Sequence, residues 1–319
     1  MRRTCMVTGA AGFIGSRLAH RLLDDGWRVV GVDAFTDSYD PTEKITRAGA
    51  LARHSRYRHV AGDLTRVDLA RYLDGVDVVF HLAGRAGVRD SFSITSKYHH
   101  DNVEATEQLL EASSRAPSVR RLVHASSSSV YGDAPLPFSE DGPTGPISPY
   151  GETKLAAERL CLEASGRELE TVALRYFTVY GPDQRPDMGL RRFAEAALAG
   201  RTIHLFGDGS QSRDFTYVDD VVEATYLAAG ASAAGMAINV GGGSRVTLVE
   251  VLDLLSGLTG TALRISTEPF ARGDARHTGA VLERAHELLG FRPAVGFAEG
   301  YAAEVAWLRQ RRLAEWRTA

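Results

Sequence analysis

Short apolar runs alternate with amphipathic stretches through the first half of the chain. Residues 5–8 (CMVT) read as a buried strand. Residues 13–25 read as a helix with Ile14, Leu18 and Leu22 on one face and Gly26 as its stop. The next apolar runs fall at 29–33, 58–61, 76–82, 121–125 and 171–174, and the longest helical patterns at 98–116 and 150–165. Strands spaced by helices predict an α/β fold, a doubly wound parallel sheet with ligands at the carboxyl ends of its strands.

Beyond Tyr176 the pattern loosens. Loops rich in Gly, Pro and Arg occupy 181–189, 207–214, 241–245 and 271–276, with helices between them, one of them opening on a capping box of Thr247 and Glu250. Such loops predict a smaller lid over a ligand, without a second large core.

Length and charge narrow the classes. A chain of 319 residues buries a sizeable core in one large or two moderate domains. A formal net charge of -3 supplies no global basic field for nucleic acid or an anionic membrane, so local arginines must answer for any anionic ligand. Cys5 and Cys161 cannot build a disulfide framework and sit in apolar contexts, which fits a reducing cytoplasm. Met1, Arg2 and Arg3 before an apolar stretch imitate a signal peptide, but glycines break the run and a charged amphipathic segment follows at once. No apolar stretch reaches the ~18 to 20 residues of a membrane helix, and no metal site is expected.

Gly9, Gly12 and Gly15 lie between the first strand and the first helix, with Phe13 and Ile14 opening that helix. Glycines here allow a tight turn and close approach of a pyrophosphate to the helix N-terminus. Taken alone, such a turn is also a plain tight connection. Asp33 shifts the balance, because it ends the second strand 18 residues beyond Gly15, where a carboxylate can accept from an adenosine ribose and repel a 2'-phosphate. NAD is thus favoured over NADP. Asp63 and Leu64 follow the third strand and can reach the adenine. After the fourth, Leu82, Ala83, Gly84 and Arg85 form a small-residue stretch beside the cofactor, and His81 reads as structural.

Tyr150 and Lys154 stand four apart on a helix, hence on one face. An ammonium near a phenol stabilises the phenolate and lowers its pKa, giving an acid–base group usable near neutral pH. Ser148 reads as the N-cap and Pro149 as the first helical residue, which aims Tyr150 into the cleft. Ser126 to Ser129 supply hydroxyls at a strand end.

Together these pieces resemble the extended short-chain dehydrogenase/reductases, in particular nucleotide-sugar epimerases and dehydratases. The markers are the glycine fingerprint, Asp63-Leu64, His81-Leu-Ala, SSSSVYG at 126–132, SPYGETK at 148–154 and RDFTYVD at 213–219. The resemblance implies a triad of Ser127, Tyr150 and Lys154. It implies a dinucleotide-binding domain over 1–175 plus roughly 213–240, and a sugar-nucleotide domain over roughly 176–212 and 241–319. Dehydratases of this kind carry Asp-Glu after the hydroxyl residue and decarboxylases keep the Glu, whereas this chain has Ser128 and Ser129. HLAGRAGVR at 81–89 and RYFTVYGP at 175–182 followed by RPDM at 185–188 look like UDP-glucuronate 4-epimerases. Gly84 and Arg85 depart from the commoner Ala-Gln there.

The same resemblance assigns Arg213 and Arg272 to a diphosphate and Asp274 to a uridine ribose; Arg89, Ser127, Ser128, Thr178 and Arg185 are the further substrate-binding candidates, with Arg185, Thr178 and the serines toward the sugar. The implied activity is NAD-dependent 4-epimerisation of UDP-glucuronate, in a homodimer formed through the helices at 98–116 and 150–165. Three readings stay open beside it: a UDP-glucose or UDP-N-acetylglucosamine 4-epimerase, a UDP-glucuronate decarboxylase, and a non-enzymatic NAD-binding regulator.

Overall fold

The computed structural model describes residues 3–318, with side chains as far as 313. Strands β1 (Thr4–Thr8), β2 (Arg28–Asp33), β3 (Tyr57–Ala61), β4 (Val78–His81), β5 (Arg121–Ser127) and β6 (Glu170–Tyr176) build the main sheet. β7 (Thr178–Tyr180), β8 (Ile203–Phe206) and β9 (Ser212–Tyr217) leave it, and β10 (Met236–Val240) returns. β11 (Arg245–Thr247) and β12 (Ile265–Glu268) lie outside. The order across the sheet is β10-β6-β5-β4-β1-β2-β3, with every pair parallel. It is the doubly wound α/β sheet expected, and the order reverses between β1 and β4, where such folds open their ligand crevice.

Alternation along the strands feeds two cores. Cys5 and Val7 point to the face shared with Leu18, Leu22, Phe80 and Val221. Met6 points to the other, with Val79, Leu109, Leu122 and Cys161. Each fully buried aliphatic side chain stabilises by about 1.5–3 kcal/mol, so a register slip of one residue in β1 would invert both faces. Both cysteines are buried and unpaired, as their apolar contexts suggested.

Two expectations are corrected. The segment after Tyr176 does hold a substantial core, in which Tyr180, Leu190, Leu205, Phe215, Val251, Leu255, Tyr301 and Val305 are buried together. The loops had masked it, because its residues come from short strands and helices far apart in the chain. The pattern at 98–116 is not one α-helix either. It runs as Thr95–His99, a π-helical stretch His100–Glu104, and Ala105–Arg115. The wider turn carries Asn102, whose side chain holds the backbone of Arg85 from both sides: Arg85 N donates to Oδ1 at 2.7 Å and Nδ2 donates to Arg85 O at 3.1 Å. Such bulges favour functional positions.

A buried charge cluster joins the main sheet to the later core. Glu43, on the helix Pro41–Ala52, accepts from Arg47 (3.2 Å), Arg191 (2.7 Å) and Arg311 (2.6 Å). Arg47 also grips Asp183, Nε to Oδ2 at 2.6 Å and Nη2 to Oδ1 at 3.0 Å. Asp183 adopts a left-handed backbone, φ 71°.

Candidate active site

One continuous cleft of about 1170 Å³ runs from the glycine turn after β1, past the ends of β4 and β5, to the loops after β7 and around Asp274. Its walls include Gly9, Gly12, Phe13, Ile14, Gly15, Asp33, Asp63 and Leu64 at one end. Leu82, Ala83, Gly84, Arg85, Ser127, Ser128, Tyr150 and Lys154 lie at the middle. Arg89, Thr178, Arg185, Arg213 and Asp274 line the other end.

The glycine turn fits a dinucleotide. A Cβ on Gly15 would lie 2.1 Å from the Gly9 carbonyl oxygen, so only glycine allows the helix Phe13–Asp24 to start this close to β1. No side chain caps that helix at Gly12, which leaves its first N–H groups and its dipole for an anion. Asp33 is buried and oriented by two backbone donors, Ala11 N at 3.0 Å and Phe35 N at 2.8 Å. Asp63 accepts from Thr65 and from His100 Nε2 at 3.0 Å. His81 is buried between Thr8 (2.8 Å) and Thr106 (2.9 Å), and burial pushes its pKa down to about 3. A neutral structural histidine results, as the sequence indicated.

Tyr150 and Lys154 are set by the helix Pro149–Glu163. Its N-cap is Ser148, whose Oγ accepts from Gly151 N at 3.1 Å, with Pro149 in the first turn. The rings of Tyr98 and Tyr150 pack in a T-shaped arrangement, with centroids 6.1 Å apart. Ser127 ends β5, hydrogen-bonds the Tyr150 hydroxyl, and accepts from Ser129 N at 3.1 Å.

Burial raises the Tyr150 phenol above its ordinary pKa, while the Ser127 hydrogen bond and the Arg185 charge pull it back. Lys154 donates instead to Ala125 O, and burial lowers its pKa to about 8. Burial thus outweighs the groups that favour the phenolate, and the phenol lies above its ordinary value where the spacing to Lys154 predicted a lowering. A Cβ on Gly84 would come within 2.8 Å of Asn102 Oδ1 and 3.9 Å of Lys154 Nζ, so glycine in place of the commoner alanine keeps the chain close to both groups.

Beneath these residues lies a buried network. Glu158, one turn beyond Lys154, accepts from Ser126 Oγ (2.5 Å) and from Arg175 Nη2 (2.7 Å). Arg175 reaches Tyr131, which donates to Asn239 at 2.7 Å. The strand carrying Ser127 and the helix carrying Tyr150 thus share one carboxylate.

At the far end, Arg213 Nη2 lies 3.2 Å from Asp274, and Arg89 stacks on Phe206 at 3.8 Å. Arg272 is the exception. It is exposed, stacks on Phe92 at 4.5 Å, and is absent from the cleft lining. Sequence reasoning missed Tyr39, Lys44, Asn102, Asp187 and Arg192. Asn102 carried no signal of its own, since residues 98–116 read as one continuous helical pattern. Lys44 lies in the helix after β2, beside Asp33, and donates to Thr36 Oγ1 at 3.1 Å.

Residues 5–241 match the NAD dependent epimerase/dehydratase family. The chain belongs to that family. NAD is accordingly its cofactor. The chain is 38% identical over 307 residues to the uncharacterized UDP-glucose epimerase YtcB of Bacillus subtilis, covering 95% of this chain and 97% of that protein. Among solved structures it resembles UDP-glucuronic acid 4-epimerase from Bacillus cereus in complex with UDP-glucuronic acid and NAD. That match has TM-score 0.93 and 37% identity, over 97% of this chain and 99% of the other. MoeE5, solved with UDP-glucose and NAD and also with UDP-glucuronic acid and NAD, is similarly close. Its UDP-glucose complex gives TM-score 0.89 and 42% identity over 97% and 99% of the two chains. No helix among the described residues is long and apolar enough to cross a membrane.

Proposed function

We propose that this epimerase-family chain interconverts the C4 epimers of a UDP-sugar, and that its substrate is UDP-glucuronate. The observation that carries the sugar assignment is the position of Arg185, a cleft-lining guanidinium close enough for its charge to act on the Tyr150 phenol. A guanidinium at that place pairs with a carboxylate at C6. Ser128 and Ser129 supply no carboxyl group for water elimination, which supports plain epimerisation over a dehydratase.

In this reading residues 1–175 and about 213–240 carry the dinucleotide, and about 176–212 and 241–319 the sugar nucleotide. Gly9, Gly12, Phe13, Ile14 and Gly15 hold the pyrophosphate, Asp33 the adenosine ribose, and Asp63 and Leu64 the adenine side. Leu82 to Arg85 and Lys154 hold the nicotinamide end. NAD, when bound, supplies the hydride acceptor and donor for C4. Tyr150 takes the proton from the 4-hydroxyl and Ser127 hydrogen-bonds the same oxygen. Lys154 keeps a positive charge near the phenolate without being its direct partner. The 4-keto sugar then turns in the pocket and presents its other face, and Tyr150 returns the proton.

A 4-keto glucuronate is a β-keto acid, so the carboxylate must be held with the C5–C6 bond out of line with the carbonyl π system. In this proposal Arg185, Thr178 and Ser128 do that work, and Arg89, Arg213 and Asp274 bind the UDP. Arg272 joins them only if its loop turns inward. A homodimer through the helices at 95–115 and 149–163, in the cytoplasm, completes the proposal.

UDP-glucose is the second reading, favoured by the pairing of Arg185 with Asp187, which offsets its charge. Incubation with UDP-glucuronate, UDP-glucose and UDP-N-acetylglucosamine separately, with products read by NMR, decides among them. UDP-galacturonate without CO2 release is the expected product. Arg185→Ala should harm turnover of UDP-glucuronate far more than that of UDP-glucose, and an equal fractional loss on both rejects the carboxylate role.

A further inference from the structure

Arg185 does not present an open fork to the cleft. Its Nε donates to Asp187 Oδ1 at 3.0 Å and its Nη2 to Asp187 Oδ2 at 2.7 Å, a bidentate pair along one edge of the guanidinium. Nη2 also approaches the Ala86 carbonyl at 3.5 Å, and the group lies over the Tyr39 ring at 5.2 Å. Asp187 thus makes the contact that a sugar carboxylate would make. We propose that Asp187 is a specificity-determining residue, an internal carboxylate that competes with the C6 carboxylate of the substrate for Arg185 and so lets one pocket take acidic and neutral UDP-sugars. This rests on the reading that Arg185 faces C6.

The loop is built so that only side chains need move. Asp183, two residues before Arg185, is clamped by Arg47, and Met188 N donates to Arg185 O at 3.1 Å to close the turn. Between these anchors the Arg185 side chain is 15% exposed and that of Asp187 is 35% exposed. Asp187 therefore reaches water by a rotamer change, whereas Arg185 stays in the wall.

The energetics differ by substrate. A neutral hydroxymethyl group leaves the Arg185–Asp187 pair intact and costs nothing at that contact. A carboxylate must displace Asp187, or share the guanidinium with it against like-charge repulsion. Either way its apparent affinity falls by the fraction of molecules in which Arg185 is available. Selectivity for the acidic sugar is thereby held down by a residue that need not touch the sugar.

The test measures binding of UDP-glucuronate and UDP-glucose by calorimetry to NAD-loaded protein in a Tyr150→Phe background, so that turnover does not intrude. Asp187→Asn should raise the affinity ratio of UDP-glucuronate to UDP-glucose at least about fivefold, on the scale of a removed competing charge-assisted pair. Asp187→Ala should move it the same way. Added to Arg185→Ala, the Asp187→Asn change should leave the ratio where Arg185→Ala alone puts it. An unchanged or lowered ratio in Asp187→Asn, or an equal rise without Arg185, overturns the proposal. The substrate assignment fails separately: wild-type protein that binds UDP-glucuronate without converting it refutes the proposed reaction, while the binding ratios still decide the role of Asp187.

Discussion

Lys154 donates from Nζ to the carbonyl oxygen of Ala125, 2.5 Å away, and so ties the helix that carries Tyr150 to the strand that ends at Ser127. The ammonium is buried, and desolvation brings its pKa from 10.5 down to about 8. If its charge supports the phenolate, activity should decline as pH rises through about 8, in a one-proton step. Lys154→Arg should push that step to higher pH at a lower maximal rate, and kcat measured from pH 6 to 10 checks both. The stability term has a definite sign. The folded value lies below the unfolded one, so the unfolded chain binds more protons between about 8 and 10.5, and this lysine makes stability rise with pH across that window.

Tyr150→Phe should fold and keep NAD but lose at least about 10²-fold in rate, the usual scale for a missing acid–base group. Single-turnover assays on protein of verified NAD content check this. Near wild-type turnover would remove the centre of the mechanism.

Glu158→Ala should be costly for stability. It strands the Arg175 guanidinium, which is 6% exposed, and frees Ser126 from its only carboxylate partner among the described bonds. Breaking a buried pair in this way costs about 3–5 kcal/mol. A marked fall in Tm relative to Tyr150→Phe is expected, and an unchanged Tm would show that water satisfies Arg175.

The pattern of strands, the glycine turn and the Ser148 cap were all legible in the sequence because each is a local signal. Short apolar runs, closely spaced glycines and an N-cap before proline depend on residues near each other in the chain. The core around Tyr180, Phe215 and Tyr301 was not, since it gathers pieces from positions more than a hundred residues apart. Arg272 illustrates a related point. A motif places an arginine on a loop, but whether it faces the cleft or stacks on Phe92 is a tertiary choice. Helical spacing likewise puts Tyr150 and Lys154 on one face but does not register the burial that raises the phenol.

Cofactor choice follows from Asp33, which is fixed by Ala11 N and Phe35 N and cannot turn aside cheaply. Protein purified from any host should carry NAD rather than NADP, as read by mass spectrometry of the released nucleotide. Asp33→Asn should narrow the gap between the two by at least about tenfold, a difference of ~1.4 kcal/mol. NADP retained by the unaltered protein would show that the carboxylate does not face the ribose.

The clamp of Arg47 on Asp183 has a thermodynamic corollary. Arg47 rides on the helix that follows Asp33, and Asp183 begins the loop that presents Arg185, so one short mechanical linkage spans both ends of the cleft. Order gained at either end is order the other no longer has to supply. Linkage then requires reciprocity: whatever factor the dinucleotide adds to sugar-nucleotide affinity, the sugar nucleotide must return to the dinucleotide.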